Sequence, residues 1–65
     1  MTTQQVEQWL LVKLESQIEK AKIAMDEVVY HLDGRNWEEA SKHHRQIDYW
    51  LSRAKNTQRL LDELE

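Results

Sequence analysis

The stretch Leu32-Asp33-Gly34-Arg35-Asn36-Trp37-Glu38-Glu39 decides how this chain folds. Long apolar periodicities run up to it and away from it, and it interrupts both. Gly34 is the only glycine, and glycine is favoured at the left-handed position that follows a helix C-terminus. Asn36 is a good N-cap, and Glu39 stands three residues later, as in a capping box. The expected reading is one helix ending near Leu32, a turn over residues 33–36, and a second helix starting near Trp37.

Upstream of the turn, Leu11, Leu14, Ile18, Ala21, Met25, Val28 and Leu32 alternate steps of three and four, the a/d pattern of a coiled-coil seam. Downstream, Trp37, Ala40, His44, Ile47, Leu51, Ala54, Gln58 and Leu61 continue that spacing, and His43, Trp50, Thr57 and Leu64 widen the face. The helices are expected over about residues 3–32 and 37–64. Each would be roughly 40–45 Å long at 1.5 Å per residue. Matched lengths and a short connection predict an all-α fold, an antiparallel helical hairpin forming a single domain. Positions whose numbers sum to about 69 should lie level, which puts Ile18 beside Leu51. His44 and Gln58 read as polar breaks that fix register in the second seam.

Sixty-five residues are few for burying a self-sufficient core. There is no cysteine, so disulfides and thiolate metal sites are excluded. Self-association is the simplest remaining remedy, and two hairpins packed face to face, a homodimeric four-helix bundle, is the expected state. No apolar run is long enough to span a bilayer. Met1-Thr2-Thr3-Gln4-Gln5 has no basic stretch of the signal-peptide kind, so a cytoplasmic location is expected. Charge is divided. Residues 1–34 hold three Lys against six Asp/Glu, and residues 35–59 hold six Lys/Arg against three, so the two helices attract along their flanks.

Nothing in the sequence reads as an active site. There is no cysteine nucleophile, no glycine-rich phosphate loop and no Ser/His/Asp set that straight helices would assemble, so neither an enzyme nor a cofactor is expected. Glu27 precedes His31 by four residues, as Glu39 precedes His43, a spacing that can chelate a metal. The Glu-x-x-His repeats of di-iron bundles are absent, and no metal site is expected.

Two surfaces are left over. On helix 1, Trp9, Val12, Ile23 and Tyr30 cluster on a helical wheel away from the seam, and aromatic anchors on a polar face suggest a docking surface for a partner protein. On helix 2, Lys42, Arg45, Tyr49, Arg53 and Asn56 form a basic stripe with one aromatic, with Arg59 at its edge. That chemistry suits nucleic acid, RNA above all. The architecture resembles that of small plasmid-copy-number RNA-binding bundle proteins, and Asn36-Trp37-Glu38-Glu39-Ala40 resembles the helix starts of tetratricopeptide-like hairpins, whose helices are much shorter. The leading functional expectation is a protein–protein interaction module: a regulator, inhibitor or adaptor. The alternatives are a nucleic-acid-binding regulator using helix 2 and a structural assembly subunit.

Overall fold

The computed structural model describes residues 2–64. Two helices, α1 (Thr3–Asp33) and α2 (Trp37–Leu64), pack antiparallel into a rod of 49 × 14 × 14 Å. α1 begins with a reciprocal cap that the sequence reading overlooked. The Thr2 hydroxyl accepts the Gln5 amide (3.2 Å), and Gln5 Oε1 accepts the Thr2 amide (2.9 Å). Two otherwise orphaned N–H groups are satisfied, and the start of a 31-residue helix is fixed.

The turn closes differently from expectation. Asn36 N–H donates to the His31 carbonyl (2.8 Å) and Arg35 N–H to that of Leu32 (3.0 Å), the paired bonds of a Schellman motif. The left-handed residue in it is Arg35, with φ 57°, and not Gly34, whose φ is −82°. α1 runs one residue further than expected, so Gly34 becomes the cap and the strained position moves on by one. The capping box of α2 is half made. Asn36 Oδ1 accepts the Glu39 amide (3.3 Å), but Asn36 N–H already serves His31, and the Glu39 carboxylate turns to Lys42 instead.

This geometry gives a direct test. A Cβ at Gly34 would meet only carbonyl oxygens at 3.8 Å, ordinary contact, and its φ suits any residue. Gly34→Ala is expected to stabilise the fold by about 0.5–1 kcal/mol through the unfolded chain's entropy. Arg35→Gly, which removes left-handed strain, is expected to add about 1 kcal/mol. Thermal unfolding of the double variant should therefore shift upward by several degrees. A downward shift would mean that residue 34, not 35, holds the left-handed conformation.

The expected seam is rotated by one row. The contact between helices uses Leu10, Gln17, Ala21 and Ala24 of α1, flanked by half-buried Val6, Leu14, Val28 and His31. From α2 come Ala40, Ala54, Thr57 and Leu61, with half-buried His43, Ile47 and Trp50. Leu14, Ala21, Val28, Ala40, Ile47, Ala54 and Leu61 thus face inward as expected, whereas Leu11, Ile18, Met25 and Leu32 stay 37–42% exposed. Trp37, His44, Leu51 and Gln58 are exposed as well. The reason is size. Four alanines sit on the line of contact, and small side chains allow the helix axes to approach, while the larger residues of the same stripe are displaced to its edge.

The polar element in the seam is therefore not His44 and Gln58. It is Gln17 and Thr57, both about 95% buried. The Thr57 hydroxyl donates to Gln17 Oε1 (2.8 Å), with the Arg53 carbonyl 3.0 Å away as the other acceptor for that proton. Cross-helix contacts join Gln17 to Thr57, Lys20 to Trp50 (ammonium 4.5 Å from the ring centroid) and His31 to His43. Each α2 partner lies further from the turn than a level register places it. Side chains lean toward their own helix N-terminus, so in an antiparallel pair the tips meet with this offset. Among the described residues no helix is long and apolar enough to cross a membrane.

Candidate functional site

Closing the hairpin leaves three features on its surface besides the basic stripe of α2. The first is an apolar face. Leu11, Ile18, Met25 and Leu32 recur every seven residues along α1, and Trp37 and Leu51 stand at the same spacing class on α2. In an antiparallel pair, positions displaced in the same rotational sense from the two seams lie on the same side. At the turn end the two rows converge directly, where Leu32, Trp37 and His44 line one groove with Val28, Ala40 and Ser41.

The second is the set Trp9, Val12, Ile23 and Tyr30. All four side chains are more than half exposed, and none is used between the helices. The Lys13 ammonium lies 4.8 Å from the Trp9 ring centroid, and Tyr30 meets His31 edge-on at 5.2 Å. Ile23 borders a groove with Lys20, Ala24, Glu27, His43, Gln46 and Trp50. This groove contains the other histidine of the His43-His44 pair, so it opens on the side of the hairpin opposite the Leu32–Trp37 groove.

The basic stripe on α2 is largely engaged with itself. Lys42 Nζ pairs with Glu39 Oε1 at 3.1 Å. The Arg53 guanidinium covers the Tyr49 ring (5.1 Å) and donates to its hydroxyl (3.0 Å). Asn56 Oδ1 accepts from Arg59 (3.1 Å). Only Arg45 lacks such an engagement among the contacts of these residues, and it borders a shallow depression with Lys42, Gln46 and Tyr49. Of these residues Lys42 is paired with a carboxylate, whereas Arg53 and Arg59 contact neutral partners and keep their charge.

The third feature is a cluster that reading each helix separately misses. Glu27 and His31 from α1 meet His43 from α2, and one donor atom of each lies within 4.8 Å of the others. The imidazoles of His31 and His43 stack at 5.2 Å, with planes 10° apart. Glu27 Oε2 is 3.6 Å from His31 Nε2. Glu39 stands beside this group. Its hydrogen bond from Lys42, then the Lys42 charge, hold its carboxyl below the ordinary glutamate value; slight desolvation opposes this, and His31 and His43 add small contributions in the same direction as Lys42. The sequence signal was the repeated Glu-x-x-x-His. What it lacked was the register that sets the two copies against each other.

The chain matches no protein-family model, no curated protein and no solved structure.

Proposed function

We propose that this chain is a small non-enzymatic interaction module that pairs with itself through its apolar face and holds another protein on the opposite side. The observation that carries this reading is the row Leu11, Ile18, Met25 and Leu32, left 37–42% exposed after the hairpin has closed. Among the described residues, Leu10 and Leu61 are the large apolar side chains buried in the single hairpin, and four alanines complete its apolar interior. That is a small core for 65 residues. A second copy laid on this face would cover the row, along with Trp37 and Leu51, and complete a four-helix bundle. The rod's 49 × 14 Å side offers on the order of 700 Å² per copy, close to the roughly 800 Å² per partner of a stable interface.

In that arrangement Trp9, Val12, Ile23 and Tyr30 remain on the outside, where they supply anchors for a protein partner. A regulator, inhibitor or adaptor uses such a surface without chemistry of its own. Two measurements test the reading. Sedimentation equilibrium at micromolar concentration should give about twice the 7.9 kDa chain mass. The double variant Trp9→Ala with Ile23→Ser should keep that mass and cost about 1 kcal/mol or less in stability, as surface changes do. It should nevertheless lose any partner that the parent retains in affinity capture, because removing an aromatic anchor typically costs about 2 kcal/mol or more of binding. Loss of the dimer by this variant would assign the stripe to self-assembly instead. An unchanged partner profile would remove it as a docking surface.

A further inference from the structure

We propose that Glu27, His31 and His43 bind a zinc-class divalent cation that ties α1 to α2 beside the turn. The donors come from both helices. Glu27 and His31 lie one turn apart on α1, the spacing at which two side chains of a helix reach a common point. His43 reaches the same point from α2, with its donor atom inside the 4.8 Å spread of the group. Zinc–ligand bonds of about 2.0–2.2 Å place tetrahedral donors roughly 3.3–3.6 Å apart. The Glu27–His31 pair, at 3.6 Å, already meets that spacing. The remaining closure is about 1 Å and requires one imidazole to turn out of the 10° stack, because lone pairs in parallel planes do not meet; the groove beside Glu27 and His43 leaves room for that rotation.

The chemistry of the set selects the ion. Two imidazoles and one carboxylate suit zinc, nickel or copper, whereas magnesium and calcium take oxygen ligands. Three protein ligands leave a fourth position open to water, as in zinc sites with three side-chain donors. Of the two nearest lysines, Lys42 is held by Glu39, and Lys20, which lines the same groove, lies over the Trp50 ring.

The site is separate from the face proposed for self-pairing. His43 opens into the groove with Ile23, Glu27 and Trp50, whereas His44, its neighbour in sequence, lines the Leu32–Trp37 groove on the other side. His44 is therefore the internal control. An ion held by a built cross-helix site needs His43 and ignores His44. An ion caught adventitiously, or shared between copies through the apolar face, does not make that distinction.

The experiment is calorimetric titration of the full chain with Zn²⁺, paired with thermal unfolding at fixed protein concentration. One ion per chain is expected. Because the three donors converge only in the folded hairpin, saturating Zn²⁺ should raise the melting temperature by on the order of 10 °C. His31→Gln and His43→Gln should each weaken binding at least about 10-fold, while His44→Gln leaves it unchanged. Should either histidine variant lose helicity without metal, Glu27→Gln, at a position half open to solvent, decides the question, and a drop of about 10-fold is expected there too. Absence of binding, half an ion per chain, equal sensitivity to His44 and His43, or parental affinity in the Glu27 variant would each overturn the proposal.

Discussion

Ile18→Asp is expected to dissociate the self-paired module into single chains of about 7.9 kDa. Ile18 stands at the middle of the outer row and is 40% exposed in the hairpin, so the aspartate is tolerated there while the chain is alone. In a symmetric pair the same residue enters the interface twice, and each copy would bring an unpaired carboxylate into an apolar contact. Desolvating a charge without a partner costs several kcal/mol. A weakening of self-association of at least about 100-fold, near 2.7 kcal/mol, follows. The matched control is Ile23→Asp, on the opposite side and 54% exposed, which should leave the mass of the parent unchanged. Sedimentation equilibrium reads both. An Ile18→Asp variant that still sediments at twice the chain mass would show that this row is not the self-pairing face.

The second large effect is expected inside the hairpin. Thr57→Val keeps the shape of the side chain but removes the hydroxyl that serves Gln17. Gln17 is 5% exposed, so its carbonyl oxygen would be left without a donor in the seam. A stranded buried polar group costs about 1–3 kcal/mol. For a chain of this size each kcal/mol lowers the melting temperature by roughly 4–8 °C. Gln17→Leu combined with Thr57→Val removes both partners and should recover most of the loss, because two apolar groups of similar shape need no hydrogen bond. The pair should therefore show a coupling of about 1 kcal/mol or more in a double-mutant cycle on denaturant unfolding. Additive effects would mean that the hydroxyl satisfies itself on the Arg53 carbonyl and that Gln17 has found water. If the Gln17–Thr57 bond also fixes register, the double variant, though stable, should tolerate slippage between the helices that the parent does not.

What was legible in the sequence is what is local. The two helices and the break between them follow from unbroken three-four spacing on either side of Asp33-Gly34-Arg35-Asn36, and the helix ends are observed within a residue of their expected positions. The seam was legible only as a stripe. Leu11 and Leu14, or His43 and His44, satisfy the same periodicity, and nothing in spacing says which edge of a broad stripe faces the other helix. That choice depends on which residues are small enough for close approach, a property of the pair and not of either helix. Gln17 escaped notice because a lone glutamine in a charged helix reads as surface until a threonine forty positions away is placed against it. Glu27, His31 and His43 were legible only as members of two separate Glu-x-x-x-His pairs, and their meeting depends on the register between the helices. Arg35 shows the reverse case, a local rule that failed: one residue of extra helix moved the strained conformation off the glycine.

The alanines on the line of contact divide this chain into positions of very unequal freedom. Ala21, Ala24, Ala40 and Ala54 are each less than 9% exposed. An added methylene at Ala21 or Ala54 forces the packing apart, whereas Ala24 and Ala40 each border a groove. The stripe of Trp9, Val12, Ile23 and Tyr30 carries no such restriction, since all four are more than half exposed once the hairpin has closed. Its residues can be exchanged, even for larger aromatics, while the scaffold keeps its shape. The row Leu11, Ile18, Met25 and Leu32 lies between these extremes: the hairpin closes without it, but the self-pairing proposed above depends on it.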